Sequence, residues 1–241
     1  MDTAEPISIA YAFTFTDGAV TRITARLDPK TLALLRTTEP SRPDWTRLEA
    51  VGCPSCPLSR QGYTHCPVAV SLVELVEKFD DRVSYDKVAL TVTTTQRTYQ
   101  ADATLQAGLS SLTGIYMVTS GCPVMDKLRP MVRFHLPLAD RTETVYRAAS
   151  MFLLAQLMRA RRGLDADWSL KGLEKTYRAV HMVNVHIARA IRAAATKDAN
   201  ANALVRLDLF TEGGTFSIDD ALADLEHLFE GAYLSDGAPG S

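Results

Sequence analysis

Residues 7–27 read ISIAYAFTFTDGAVTRITARL. In the first half of this stretch, large apolar residues alternate with small or polar ones, which is the pattern of a strand with one buried face. Asp17-Gly18 is typical of a tight turn, and a less regular alternation follows it. The stretch therefore predicts a β-hairpin. Residues 30–36 could add a short helix, with Pro29 at its start.

A second hairpin is indicated further along the chain. Residues 83–95 are rich in β-branched side chains, and residues 98–105 return after a turn at Gln96-Arg97. Between the hairpins, the segment VAVSLVELVEKF after Pro67 has the apolar period of a helix. We expect an α+β fold in which the two hairpins form a small antiparallel four-stranded sheet with helices on one face.

The second half of the chain has helical periodicity almost throughout, so we expect a C-terminal helical bundle. The helices are predicted over 105–119, 141–162, 168–197, 200–210 and 217–229. Asp198 and Ser217 are the candidate N-caps of the last two. The predicted domains are an α+β unit over 1–120, a helical unit over 121–233 and a disordered tail over 234–241.

The chain has four cysteines, Cys53, Cys56, Cys66 and Cys122. The first three lie in residues 37–66, a segment rich in Pro, Ser and Gly that we call the cysteine loop. A loop of this length without its own structure is uncommon, and a bound metal would organise it. A C-x2-C pair can place two thiolates on one ion, and sets of four cysteines are typical of structural zinc sites and iron–sulfur clusters. We predict that all four cysteines bind one metal centre.

Each of the four cysteines is followed by proline. Proline suits the first position of a helix, so Cys66 and Cys122 are predicted to be N-caps with their sulfur atoms at the positive end of a helix, which stabilises thiolates. Zinc knuckles often carry glycine where this chain has Pro57, and Cys-Pro is a familiar ending for cluster ligands. The pattern therefore favours a [4Fe–4S] cluster over Zn.

Two other interpretations remain open. A zinc-stabilised interaction module without catalysis could use the four cysteines, or His65 in place of Cys122. Alternatively, Cys53 and Cys56 could form a metal-free thiol redox switch. A full shell of cysteines leaves no open ligand position, and the sequence has no nucleophile elbow, phosphate-binding glycine loop or dinucleotide fingerprint. We therefore predict a redox, sensing or structural role, without assigning an enzyme activity.

Three basic residues follow Cys122 and are candidates for binding the cofactor: Lys127, Arg129 and Arg133. Near an anionic cluster they would neutralise charge and tune its potential, whereas the alternative is a solvated helix face. Elsewhere, the spacing of Tyr177, His181 and Asn184 places them on one side of a helix. Hydrogen bonding of this polar strip to a neighbouring helix is favoured over a pocket.

Composition and charge limit the expected partners. The 241 residues are 46% hydrophobic with a formal net charge of -2. The start lacks a basic signal region and the apolar stretches are short, so we expect a cytoplasmic protein with reduced thiols and no membrane partner. Residues 121–206 carry 15 basic and 7 acidic residues, and residues 207–241 carry 8 acidic residues and no Lys or Arg. The basic residues are dispersed without an aromatic platform, so an unidentified redox or protein partner is expected rather than nucleic acid.

The strings GCPSCPL, YTHCPVAVSL, TSGCPV, LRPMVRFHLPLA and DANANAL resemble those of a family of uncharacterised bacterial proteins of about this length. The likeness covers residues 5–230. The resemblance implies that the chain is one evolutionary unit, and it transfers no activity.

Overall fold

The computed structural model describes residues 5–54, 56–208, 217–231 and 233–234. The strands are β1 (Ile7–Phe15), β2 (Val20–Leu27), β3 (Lys87–Thr94) and β4 (Thr98–Thr104). The α-helices are α1 (Leu48–Val51), α2 (Pro67–Lys78), α3 (Leu105–Val118), α4 (Arg141–Ala160), α5 (Lys171–Ala194), α6 (Ala199–Leu207) and α7 (Ile218–Glu226). The 3₁₀ helices are Asp44–Thr46, Ser59–Gln61 and Met125–Phe134.

The four strands form one antiparallel sheet in the order β2-β1-β3-β4. β1 lies between β2, its hairpin partner, and β3 of the second hairpin. Tyr11 therefore pairs with Ile23 on one side and with Val92 on the other. Because strand side chains alternate between faces, every second residue of β1 from Ile9 to Phe15 is buried. The two hairpins predicted from the sequence are confirmed.

Helices cover the buried face of the sheet. α3 contacts β1, β3 and β4, and it packs in turn against α2 and α6. Phe79, directly after α2, meets Phe13 of β1 edge to face with ring centroids 5.1 Å apart. This geometry is favoured between aromatic rings. The α+β fold with a four-stranded antiparallel sheet is therefore confirmed.

The predicted helix over 30–36 is wrong. The carboxylate of Asp28 accepts hydrogen bonds from the backbone N–H groups of Lys30 (3.0 Å) and Thr31 (2.7 Å). Leu34 then forms an isolated bridge with Leu27. An aspartate that binds the following backbone in this way favours a turn over a helix, and this interaction prevails over the proline signal.

The C-terminal helices are confirmed, with changes at their starts. α5 begins at Lys171 because the Asp167 carboxylate accepts from the backbone N–H groups of Ser169 (2.9 Å) and Gly172 (2.6 Å). Ser217 caps α7, as predicted, by accepting from the backbone N–H of Asp220 (3.2 Å).

Asp198 precedes α6, as predicted, but its side chain does not cap that helix. The carboxylate accepts instead from the backbone N–H (2.8 Å) and hydroxyl (3.0 Å) of Ser84, in the segment before β3. Residues 209–210 of the predicted helix over 200–210 lie outside the described residues. So does the predicted tail apart from Leu234.

The chain divides into two compact units by its contacts. Unit 1 comprises residues 1–138 and 179–209, and unit 2 comprises residues 139–178 and 210–241. The predicted domain boundaries, 1–120 and 121–233, stay a prediction. Among the described helices, none has both the length and the apolar character needed to cross a bilayer.

Because α3 packs closely on the sheet, alanine substitutions at its two glycines should have different effects on the free energy of unfolding. A Cβ atom on Gly108 would lie 2.7 Å from Phe13 and 3.3 Å from Leu90, whereas one on Gly114 would lie 3.5 Å from Leu207. Gly108→Ala should therefore lower the free energy of unfolding by about 1–3 kcal/mol through overpacking. Gly114→Ala should leave it unchanged or raise it by up to about 1 kcal/mol through better helix propensity.

Urea unfolding of both variants and the parent protein measures this difference. Equal stability of the two alanine variants would contradict the close packing of α3 on β1.

Candidate metal centre

The cysteine loop is closed by backbone hydrogen bonds between its two halves. The N–H of Cys66 donates to the carbonyl of Thr46 (2.7 Å), and the N–H of Leu48 donates to the carbonyl of Thr64 (3.0 Å). Thr46 and, further along, Leu58 are buried. The loop is therefore ordered by contacts of the protein itself, and its cysteines have defined positions.

The position of Cys53 is set by the end of α1. Gly52 ends this helix with φ 61°, a left-handed conformation that favours glycine. On α5, the ring nitrogen Nδ1 of His186 lies 3.1 Å from the carbonyl oxygen of Val51 and can donate to it. His186 therefore holds the turn that leads into Cys53.

Cys66 is the N-cap of α2, as predicted, with Pro67 in the first turn. Cys122 lies three residues before the 3₁₀ helix Met125–Phe134, and its carbonyl accepts from the N–H of Asp126 (2.9 Å). The predicted N-cap role of Cys122 is therefore wrong, because Val124 is the N-cap of that segment, but both cysteines precede a helical segment. In such a position the free backbone N–H groups favour a negative sulfur.

The packing of α2 against α3 brings Cys66 and Cys122 to the same end of the helix pair. The hydroxyl of Ser71, near the start of α2, donates to the carbonyl of Tyr116 (3.2 Å), near the end of α3. The start of α2 therefore lies beside the end of α3. Cys66 directly precedes α2 and Cys122 follows α3 by four residues.

Burial is the main cause that raises the pKa of three of the thiols. The pKa of Cys53 rises to about 11, through burial and then the nearby thiols of Cys56 and Cys122. The pKa of Cys66 also rises to about 11 through burial, and the same two thiols add to the rise. Burial and the thiol of Cys56 raise the pKa of Cys122. The pKa of each of these three thiols therefore depends on at least one other cysteine. That Cys122 shares one centre with the other three cysteines stays a prediction.

Backbone groups oppose this rise at the two helix starts. The N–H groups of Ala69 and Val68 lower the pKa of Cys66, and those of Met125 and Val124 lower the pKa of Cys122. An N–H group aligned with a helix start stabilises a thiolate and does not stabilise a neutral thiol in the same degree. The two sites thus favour the charged form locally, although burial prevails overall.

The donor set fits a thiolate-ligated metal, but its side chains are not closed around a point. All four cysteines are free thiols. Within the described residues, no three side chains of His, Cys, Asp or Glu converge closely enough to hold a metal ion. His65, the alternative ligand, has its Nδ1 2.9 Å from the hydroxyl of Thr64.

The three basic residues predicted to bind the cofactor lie in the 3₁₀ helix that follows Cys122. Lys127 and Arg133 are exposed. Arg129 is half-buried, forms an ion pair with Asp126 and donates to the carbonyl of Thr31 (3.2 Å). Their binding to a cofactor stays a prediction.

Two residues of the predicted polar strip of α5, His181 and Asn184, form hydrogen bonds with the end of α6. Nδ1 of His181 lies 2.6 Å from one carboxylate oxygen of Asp208, at the end of α6, and the amide of Asn184 donates to the other (2.9 Å). This agrees with a packing role for these two residues. His135 is the C-cap of the 3₁₀ helix Met125–Phe134, and its Nε2 lies 2.6 Å from the hydroxyl of the buried Tyr11.

A comparison with family models gives one match. The model of a domain of unknown function, DUF6901, matches residues 9–230. The chain belongs to this family. No curated protein and no solved structure matches it. The DUF6901 match spans both the cysteine loop and Cys122, so the whole candidate centre lies within the family's domain.

The sequence of this DUF6901 protein did not indicate the hydrogen bond between His186 and the carbonyl of Val51. His186 is five residues from His181, so the two rings do not share a face of α5. Its partner, Val51, is 135 residues away. No local pattern reports a hydrogen bond between residues so far apart in the chain.

The pKa values predict how the metal-free DUF6901 protein reacts with iodoacetamide. With a pKa of about 11, Cys53 is almost entirely protonated at neutral pH, and the thiolate is the reactive form. Its alkylation should therefore be slow near neutrality and should keep accelerating as the pH rises toward 11. Mass spectrometry of the peptide measures the rate.

The same peptide in urea-unfolded protein is the control, because an unfolded cysteine titrates at about 8.5. A rate in the folded protein that levels off at that lower pH would contradict the raised pKa of Cys53.

The contact between His186 and Val51 predicts a local effect in the DUF6901 protein. His186→Ala should loosen the turn at Gly52, because the Val51 carbonyl loses its side-chain donor, at a cost of about 1 kcal/mol. Hydrogen exchange measured by mass spectrometry should become faster in α1 and in the residues up to Cys53. Arg189→Ala, at an exposed position on the same helix, is the control and should leave this exchange unchanged.

Proposed function

We propose that the four cysteines of this DUF6901 protein bind an iron–sulfur cluster of the [4Fe–4S] type, with a redox, sensing or structural role. The observation that carries the proposal is the mutual effect of the thiols. Cys56 raises the pKa of the other three cysteines, and Cys122 raises those of Cys53 and Cys66. Residues from a loop and from two helix starts thus act on one another in one region.

The electrostatics of this region supports a cationic occupant. Partly buried thiols close to one another resist ionisation, because each thiolate would lose water and repel its neighbours. Metal ligation needs thiolates, and bound iron would supply the positive charge that makes four of them stable together. The helix-start N–H groups beside Cys66 and Cys122 favour the same ionised form.

The proposal requires the cysteine side chains to turn toward a common centre. Cys53 and Cys56 are half-buried in the loop. Cys66 and Cys122 are buried and have their positions set by the helices they precede. In this arrangement the two loop residues would close onto the two residues at the helix starts.

The ligand types favour a cluster over zinc. All four cysteines precede proline, Pro57 replaces the glycine often found in zinc knuckles, and two ligands precede helical segments. A bound cluster would supply one-electron transfer or a site sensitive to oxidants. Lys127, Arg129 and Arg133 would lower the net negative charge around it. We place the protein in the cytoplasm, where thiols stay reduced.

The test is anaerobic purification followed by an absorption spectrum and by iron, sulfide and zinc analysis. We expect the purified protein to be coloured and to contain about four iron atoms and four sulfide ions per chain. Colourless protein without iron and sulfide would overturn it. In that case, one zinc per chain would establish the zinc-stabilised module, and metal-free protein with four alkylatable thiols would indicate a thiol switch.

A pair of variants tests whether Cys122 is a ligand. Cys122→Ser should remove most of the iron, because the fourth thiolate is lost from the shell. His65→Ala is the matched control, since His65 adjoins Cys66 and was the alternative ligand, and it should retain the iron and sulfide of the parent. Iron and sulfide per chain are measured on variants whose circular dichroism matches that of the parent protein. The result decides whether Cys122 or His65 is the fourth ligand. Loss on His65→Ala with retention on Cys122→Ser would contradict the four-cysteine set.

A further inference from the structure

Unit 2 contains an apolar groove that is independent of the cysteines. It lies between α4 and α7 and has a volume of about 580 Å³. Its lining includes Tyr146 and Leu153 of α4 and Leu222 of α7, together with Phe229 after that helix. The rings of Tyr146 and Phe229 stack with their centroids 6.4 Å apart. The groove is therefore an aromatic and aliphatic surface that is open to solvent.

The groove has an acidic lining on its α7 side. Asp219 and Glu226 both line it. Tyr146 and Phe229, whose rings stack, line the same groove as Glu226. An occupant should therefore combine apolar side chains with a positive charge.

The face of α4 that lines the groove continues beyond it as an apolar stripe. At 100° per residue, six residues fall within about 100° of one another on the helix. They are Tyr146, Ser150, Leu153, Leu154, Leu157 and Arg161. Leu154 is 53% exposed and Leu157 is 40% exposed. The stripe is thus open at its C-terminal half and ends at the exposed basic residue Arg161.

The two halves of this stripe complement each other. The N-terminal half adjoins the acidic groove, and the C-terminal half has exposed leucines and a terminal arginine. If two α4 helices pack antiparallel about a two-fold axis between Leu153 and Leu154, residue 161 of one copy lies opposite residue 146 of the other. Arg161 would then reach the groove of the partner, where a carboxylate and an aromatic face both attract a guanidinium.

We propose that two copies of the chain associate through unit 2 by antiparallel packing of their α4 helices, with Arg161 of each copy seated at the groove of the other beside Glu226. Such a contact is isologous, so each Arg161 to Glu226 pairing occurs twice per dimer. The central part of the interface is apolar and is formed by Leu153, Leu154 and Leu157. The apolar centre supplies affinity and the charged ends set the register.

The test uses the 241-residue chain and its charge-reversed variants in sedimentation velocity over a range of concentrations. The parent should be a dimer that dissociates on dilution. Arg161→Glu and Glu226→Arg should each raise the dimer dissociation constant on the order of tenfold or more, because like charges then face each other at both ends. The double variant should recover most of the parent affinity.

Two further variants keep the test specific. Arg162→Glu makes the same charge change at the next residue, which follows the C-cap of α4 and is not part of the stripe, and should have little effect. Leu157→Asp should abolish the dimer by placing a carboxylate in its apolar centre. A parent that is monomeric at every concentration, or a double variant no tighter than the single ones, would overturn the proposal.

Discussion

The inner face of β1 has to be shielded from water, and the rest of unit 1 is arranged around this requirement. Ile9, Tyr11, Phe13 and Phe15 are all almost completely buried, and burying each large side chain contributes about 1.5–3 kcal/mol. α3 covers this face so closely that Gly108 has no room for a side chain beside Phe13. Position and direction of α3 are therefore dictated by the sheet.

The position of α3 in turn decides where the cysteines lie. α2 packs on α3, and the hydrogen bond between Ser71 and Tyr116 places the start of one helix beside the end of the other. Cys66 and Cys122 are attached to those two ends. The cysteine loop, tied back to Cys66 through Thr46, then brings Cys53 and Cys56 to the same region. Cys66 and Cys122 lie at the same end of the α2–α3 pair because a hydrophobic core orients these two helices.

Two opposing effects act on the thiols gathered there. Burial, followed by the effect of nearby thiols, raises the pKa of Cys53, Cys66 and Cys122, whereas backbone N–H groups at the helix starts lower the pKa of Cys66 and Cys122. A metal would resolve this conflict, because its positive charge removes the repulsion. Unit 2 carries a different kind of surface. The apolar stripe of α4 has the acidic groove at its N-terminal end and Arg161 at its C-terminal end. We propose a metal centre for the first arrangement and a second copy of the chain for the second.

The sequence by itself determined the two hairpins, the helices and the positions of cysteine before proline. These are local features, because strand and helix periods and N-cap preferences depend on residues within a few positions of each other. The helix predicted over 30–36 is absent because the Asp28 carboxylate accepts hydrogen bonds from the backbone that follows it. Asp198 does not cap α6 with its side chain, because its carboxylate accepts from Ser84 instead. Only the tertiary structure decided that the helix starts after Cys66 and Cys122 lie at the same end of the α2–α3 pair and that His186 holds the turn before Cys53. Both arrangements link residues far apart in the chain, and they exist because helices distant in sequence pack together.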